Sequence, residues 1–186
     1  MKGTNMRDLT EKGISSRQVF DGHLLKVYVD RVILPNGDET GREYLKHNGA
    51  VGIVVLTDDG KVIMVRQFRY PFHRDMLEIP AGKIDPGEKP IDAAKRELLE
   101  ETGVTSAELT ELGTYYPSVA YTDEVIWLYL ARGLTYGAQH LDEDEFLNVE
   151  TYPLDELVTM VMNGEIPDGK SQTAILKAKK YISGRM

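Results

Sequence analysis

The segment from Gly82 to Val104, GKIDPGEKPIDAAKRELLEETGV, constrains the fold more than any other part of this chain. It predicts a Gly- and Pro-rich loop and then a helix, which Gly103 ends because glycine suits the left-handed position after a last turn. The helix brings Glu97, Glu100 and Glu101 within one turn of one another, where like charges repel. Such a cluster indicates a bound cation, and carboxylate ligands favour Mg²⁺, Mn²⁺ or Ca²⁺ over zinc. The alternative is a solvated acidic helix.

The spacing within this segment is specific. Gly82 is followed after five residues by Glu88, and after seven more by Arg96-Glu97-Leu98-x-Glu100-Glu101-x-Gly103-Val104. The segment therefore resembles the Nudix box at all nine of its defined positions. The resemblance implies an α/β/α sandwich with a mixed sheet, and hydrolysis of a nucleoside diphosphate linked to another group.

The resemblance also implies roles for individual residues. The first and last glutamates of the box motif, Glu97 and Glu101, bind metal in the family, and Glu100 is a further candidate ligand with a catalytic role. The residue before the box glycine offers its backbone carbonyl to the metal, which in this chain is Ala81.

The remaining box residues are expected to be structural. Glu88 and Arg96 form an ion pair that attaches the loop to the helix, with direct catalysis as the alternative role. Gly82 and Gly103 serve the backbone, because glycine permits close approach and positive φ.

Composition limits the other classes of function. The net charge of −8 argues against broad binding of nucleic acid or membranes, which favours a basic surface. The chain has no cysteine, so disulfides and thiolate catalysis are excluded. The first residues carry no apolar signal sequence, and we expect a cytoplasmic protein.

The pattern along the chain predicts an α/β or α+β protein of two parts. Residues 1–47 form an antiparallel β-extension with a hairpin at Asn36-Gly37, and residues 48–186 form the Nudix domain with three helices. Residues 1–15 are polar and are expected to be loosely packed. Residues 71–75 are expected to form a loop, and residues 76–81 a single strand leading to the box.

Outside the box, the chain resembles the ADP-ribose pyrophosphatase branch of the family. The matching segments, in order, are Arg66–Arg69, Leu77–Gly82, Tyr116–Ser118, Asp142–Phe146 and Gly164–Ile166. A proline shortly after the box is typical of the branch, and Pro117 corresponds to it. The branch often has Pro-Ser-Pro-Gly where this chain has Pro-Ser-Val-Ala at 117–120.

The branch resemblance adds candidate substrate and catalytic residues. In the branch, a glutamate on a loop before the last strand positions or activates water, and Glu145 matches it best, with Glu143 second. Arg69 resembles an arginine that contacts the diphosphate, with a surface salt bridge as the alternative. Glu78 is expected to reach metal or substrate. Arg42 resembles a substrate contact made across a dimer interface, or is an ordinary strand charge.

The resemblance to this branch implies a Mg²⁺-dependent hydrolase, with Mn²⁺ as the alternative metal, that cuts ADP-ribose to AMP and ribose 5-phosphate. The expected partners are a nucleoside diphosphate substrate and a second copy of the chain, bound through the N-terminal strands, with no nucleic acid or membrane. The alternatives are another nucleotide sugar or a nucleoside triphosphate as substrate, and a non-catalytic Nudix domain that senses a nucleotide.

Overall fold

The computed structural model describes residues 7–141 and 145–184, which divide into two compact units. The first unit contains the described residues up to His47 together with Ser118–Glu124. The second contains Asn48–Pro117 and the described residues from Val125 onward. Each unit has its own sheet.

The first unit is a three-stranded antiparallel sheet in the order β1-β2-β3. Its strands are β1 Lys12–Asp21, β2 Lys26–Ile33 and β3 Glu39–Lys46. The β2–β3 turn lies at the predicted Asn36-Gly37 position, where Gly37 has a φ of 93°. Leu45 of β3 also exchanges backbone hydrogen bonds with the 118–124 segment.

Residues 12–15, expected to be loosely packed, belong to a strand in the structure. Strand β1 pairs with β2 from Lys12 to Asp21, and every one of its residues is exposed. Because no face of β1 is buried, its first residues have no hydrophobic alternation from which the start of a strand could be predicted.

The second unit has a seven-stranded mixed sheet and three α-helices. Five strands lie in the order β10-β5-β4-β9-β8, while β6 pairs with β5 and β7 pairs with β4. Only the β4–β9 pair is parallel among the described strand pairs of this sheet. The elements, in chain order, are β4 Ala50–Leu56, β5 Lys61–Arg69, β6 Arg74–Glu78, β7 Ala81–Lys83, α1 Pro90–Thr102, β8 Val104–Tyr115, β9 Ile126–Tyr136, β10 Leu147–Pro153, α2 Leu154–Met162 and α3 Gly169–Ile182.

Helices cover both faces of this sheet. Successive side chains of a strand point to opposite faces, and β4 divides its apolar residues in this way. Val51, Ile53 and Val55 pack in the cluster that includes α1, whereas Val54 packs in the cluster that includes α2 and α3. The second unit is therefore an α/β/α sandwich, as the resemblance to the Nudix box implies.

The strand expected at residues 76–81 is two strands in the structure. Strand β6 pairs with β5, and β7 pairs with β4, with a break at Ile79-Pro80 between them. Proline has no N–H for a sheet ladder, although the Pro80 carbonyl accepts a hydrogen bond from the Ile53 N–H at 2.8 Å. The expected loop at residues 71–75 is also shorter, because a 3₁₀ turn spans Tyr70–Phe72 and β6 begins at Arg74.

Helix α1 is fixed by its ends and by one apolar face. Pro90 occupies its first turn, and Gly103 ends it with a φ of 68° and a hydrogen bond from its N–H to the Leu99 carbonyl at 2.8 Å. Ala93, Ala94 and Leu98 are buried against the sheet. None of the described helices is long and apolar enough to cross a membrane.

We expect Leu98→Ala to destabilise the protein by about 2–5 kcal/mol, because the Leu98 side chain is fully buried and its truncation leaves a cavity. The free energy of unfolding in urea measures this loss. Leu176→Ala, on the exposed side of α3, is the matched control and should cost much less. Equal losses in the two variants would contradict this account of the α1 packing.

Candidate active site

The candidate site forms where α1 meets the start of β7. The Glu101 carboxylate is buried, and its Oε2 accepts a hydrogen bond from the Ala81 N–H at 2.9 Å. The Glu97 carboxyl lies so close to Gly82 that a Cβ at this position would overlap it. Any other residue at position 82 would displace Glu97, so the glycine provides room for a carboxylate beside the backbone.

Arg96 connects α1 to the preceding loop. It donates to Glu88 through Nε at 3.0 Å and Nη2 at 2.9 Å, and to the Lys83 carbonyl at 2.9 Å. Its Nη1 donates to Glu97 at 2.8 Å and to Glu100 at 3.0 Å. The hydrogen bonds to Glu88 raise the pKa of Arg96 against the lowering effect of burial, and Glu97 and Glu100 raise it further. One guanidinium thus attaches the loop to the helix and also neutralises part of the charge of the carboxylate cluster.

Two carboxyls of the cluster are shifted towards the protonated form. Burial raises the pKa of Glu101 to about 8, and the nearby charges of Glu145 and Glu97 act in the same direction. The Ala81 N–H and Lys170 only partly oppose this shift. Burial also raises the pKa of Glu97, against the effect of Arg96. Negative charge at this place is therefore incompletely neutralised by the protein.

A second charged network lies beside the cluster. Arg69 donates to the buried Glu78 through Nε at 2.6 Å and Nη2 at 2.7 Å, and Lys170 donates to the same carboxylate. Burial alone would raise the pKa of Glu78, but Arg69 and Lys170 outweigh it and lower this pKa. The hydrogen bond to Glu78 raises the pKa of Arg69, and the negative charges of Asp168 and Glu101 raise it further.

The structure thus brings together most of the residues predicted from the sequence. Glu145, the predicted loop glutamate, lies near enough to Glu97 and Glu101 to influence both. Pro117 is exposed just after β8. Glu143 lies outside the described residues.

Arg42 belongs to the first unit. It donates to Glu11 through Nε at 3.0 Å. This hydrogen bond raises the pKa of Arg42, whereas burial acts to lower it. Tyr28 and Tyr44, aromatic residues of the same unit, stack on each other with ring centroids 5.7 Å apart.

Sequence reasoning missed Lys170 and Asp168. Asp168 is the N-cap of α3, where its side chain accepts a hydrogen bond from the Ser171 N–H. An aspartate at this position is a recognisable helix-start signal. No sequence signal indicates that Lys170 pairs with Glu78, because these residues are 92 positions apart.

The residues of the cluster fit a divalent cation chemically. They offer carboxylate and carbonyl oxygens, which are the ligands that Mg²⁺ and Mn²⁺ prefer, and Glu101 is a buried acid without a cationic hydrogen-bond partner among the described residues. No three acidic or imidazole groups converge on one point within residues 7–141 and 145–184. Binding of a cation would therefore require Glu97 and Glu100 to turn away from Arg96.

Comparison with known proteins identifies the class of this chain. The model of the NUDIX domain matches residues 46–172, and the model of the nucleoside diphosphate sugar hydrolase N-terminal domain matches residues 11–45. The chain belongs to the Nudix family, as the box predicts. Nudix hydrolases generally use divalent metal ions and act on small nucleotide substrates.

Two individual relatives are similar to this chain over most of their length. The chain is 44% identical to an ADP-ribose pyrophosphatase of Bacillus subtilis (strain 168), over 91% of this chain and 93% of the relative. It is 41% identical to a methanol dehydrogenase activator of Bacillus methanolicus, over 89% of this chain and 90% of the relative. The predicted resemblance to the ADP-ribose pyrophosphatase branch is confirmed by this sequence similarity.

A solved structure supports the fold. The crystal structure of an ADP compounds hydrolase superposes with a TM-score of 0.84 and 22% identity, over 97% of this chain and 100% of that chain. The expected Nudix-type fold with an N-terminal β-extension is confirmed.

The Glu101 pKa predicts a pH dependence of stability in the metal-free protein. Between pH 4.5 and about 8 the folded chain holds a proton on Glu101 that the unfolded chain releases, so the free energy of unfolding falls as pH rises. We expect the wild type to lose stability relative to Glu101→Gln by up to roughly 1.4 kcal/mol per pH unit in this window. Urea unfolding in EDTA at several pH values measures the difference, and parallel pH profiles for the two proteins would contradict it.

Proposed function

We propose that this Nudix protein is a Mg²⁺-dependent hydrolase that cleaves the diphosphate bond of ADP-ribose to AMP and ribose 5-phosphate. The observation that carries the proposal is the cluster of Glu97, Glu100 and Glu101 beside the Ala81-Gly82 backbone. The 44% identity to the ADP-ribose pyrophosphatase of Bacillus subtilis supports the choice of substrate.

The carboxylates of Glu97, Glu100 and Glu101 and the Ala81 carbonyl are the proposed metal ligands. A bound divalent ion supplies charge neutralisation on the phosphate oxygens and a nucleophilic water at neutral pH. Mg²⁺ is preferred over Mn²⁺ in the proposal because Mg²⁺ is commonly held by a few carboxylates together with substrate phosphates.

The remaining roles concern the water and the substrate. Glu145 accepts the proton of the attacking water or orients it, and Glu143 is the alternative. Arg69 binds the diphosphate, because a planar guanidinium matches the spacing of phosphate oxygens. Glu78 orients Arg69, and Pro117 lines the substrate side of the loop after β8.

We also propose that the chain acts as a homodimer. Residues 1–47 form a dimerisation and substrate element, residues 48–186 form the hydrolase domain, and Arg42 contributes to the partner subunit's substrate site. Apolar side chains that are exposed in the single chain support this proposal, because a second copy would cover them. In the first unit they include Ile14, Val19, Phe20, Leu24 and Leu25.

A second candidate function comes from the relative named methanol dehydrogenase activator, which is 41% identical to this chain. In this candidate the protein acts on a dehydrogenase rather than on free ADP-ribose. Absence of product from ADP-ribose, together with an increased rate of an added methanol dehydrogenase, would favour it.

We expect the purified protein to release AMP from ADP-ribose with Mg²⁺ and to release none with EDTA. Glu101→Gln should lower kcat by about a hundredfold or more, because it removes a charged metal ligand while keeping the shape of the side chain. Glu156→Gln, an exposed acid in the first turn of α2, is the matched control and should retain wild-type activity. Chromatography of the products measures both. Full activity of Glu101→Gln would rule out the proposed metal site.

Glu145→Gln is expected to lower kcat by about a hundredfold, the usual size for loss of a general base. Its affinity for Mg²⁺, measured by calorimetry, should change little. Glu143→Gln is the comparison variant. If only Glu143→Gln lowers kcat, Glu143 rather than Glu145 acts on the water.

A further inference from the structure

Four alternating charges connect the N-terminus of α3 to Arg69. The Lys170 ammonium contacts Asp168 Oδ2 at 3.1 Å and also donates to Glu78. Glu78 in turn accepts two parallel hydrogen bonds from Arg69, at 2.6 and 2.7 Å. Arg69, the proposed diphosphate contact, is thus the last member of a network that begins on another element.

Arg69 is the most exposed member of this network. The Arg69 side chain is 40% exposed, whereas those of Lys170 and Glu78 are 12% and 3% exposed. A ligand that reaches the network from solvent therefore meets Arg69 first. The Lys170 ammonium already contacts two carboxylates, which favours an indirect role over direct contact with a substrate.

The backbone next to Glu78 is attached to the same helix end. Asp168 Oδ2 accepts hydrogen bonds from the N–H of Ser171, at 2.9 Å, and from its hydroxyl. The fully buried Ser171 Oγ accepts a hydrogen bond from the Ile79 N–H at 2.9 Å. Helix α3 therefore holds the residue after Glu78 through Ser171, and the Glu78 carboxylate through Lys170.

We infer that Lys170 is a positioning residue, which holds the Glu78 carboxylate so that Glu78 orients the Arg69 guanidinium for the substrate diphosphate. Glu78 shares its negative charge between two cations. Without Lys170 the full charge of Glu78 would offset Arg69, and the carboxylate would lose the contact that fixes its rotation. This inference rests on the proposed function, because it needs Arg69 to bind the diphosphate.

The test begins with Lys170→Met, which keeps the length of the side chain and removes its charge. We expect KM for ADP-ribose to rise about tenfold, the size expected for loss of one hydrogen bond to a charged group, while kcat stays within about threefold of the wild type. Lys170→Arg should recover most of the loss. Lys179→Met is the matched control, because Lys179 lies on the same helix and pairs with Asp155, and its KM should be that of the wild type. If Lys170→Met does not fold in a thermal melt, Lys170→Gln takes its place.

A double-mutant cycle with Arg69→Ala separates the inference from its alternatives. If Lys170 acts through Glu78 and Arg69, adding Lys170→Met to Arg69→Ala should change KM by less than about twofold. A full additional increase in KM would overturn the inference in favour of direct substrate contact. Unchanged KM in Lys170→Met alone would also overturn it.

Failure of the proposed function and failure of this inference would give different experimental results. A wild-type protein that releases no AMP from ADP-ribose overturns the proposed function and this inference together, before any variant is compared. A wild type that is active, with a Lys170→Met variant that shares its KM, overturns only the inference.

Discussion

The hydrogen bond from the Ala81 N–H to the Glu101 carboxylate joins the central sheet to helix α1, and the candidate site depends on it. A buried carboxylate is costly unless it is paired, and Glu101 has a backbone donor in place of a cation. The raised pKa of Glu101 reflects this incomplete compensation. The packing of α1 through Ala93, Ala94 and Leu98 offsets this cost. The same helix therefore stabilises the sandwich and carries an acid whose charge a bound cation would neutralise.

The backbone at the break between β6 and β7 is held by hydrogen bonds from several parts of the fold. Three successive residues are held by three different elements. The Ile79 N–H donates to Ser171 of α3, the Pro80 carbonyl accepts from Ile53 of β4, and the Ala81 N–H donates to Glu101 of α1. The proposed carbonyl ligand at Ala81 is therefore positioned by contacts with α3, β4 and α1 as well as by the pairing of its own strand.

Two cationic networks adjoin the carboxylate cluster, and they differ in origin. Arg96 belongs to the box itself and pairs with Glu88, Glu97 and Glu100 within one contiguous segment. Arg69 and Lys170 come from β5 and α3 and meet at Glu78. The first network shapes the loop and the helix that carry the proposed metal ligands, and the second fixes the guanidinium that we propose as the diphosphate contact.

The sequence by itself determined helix α1, its end at Gly103 and the closeness of its three glutamates, and its resemblance to the Nudix box implied the layered fold. The helix features follow from helical spacing and end signals, which lie within short stretches of chain. Only the tertiary structure decided that β1 begins as early as Lys12, that residues 76–81 divide between two partner strands, and that Lys170 meets Glu78. The physical reason is that each of these depends on backbone or charge pairing between segments distant in sequence, and such pairing leaves no local pattern.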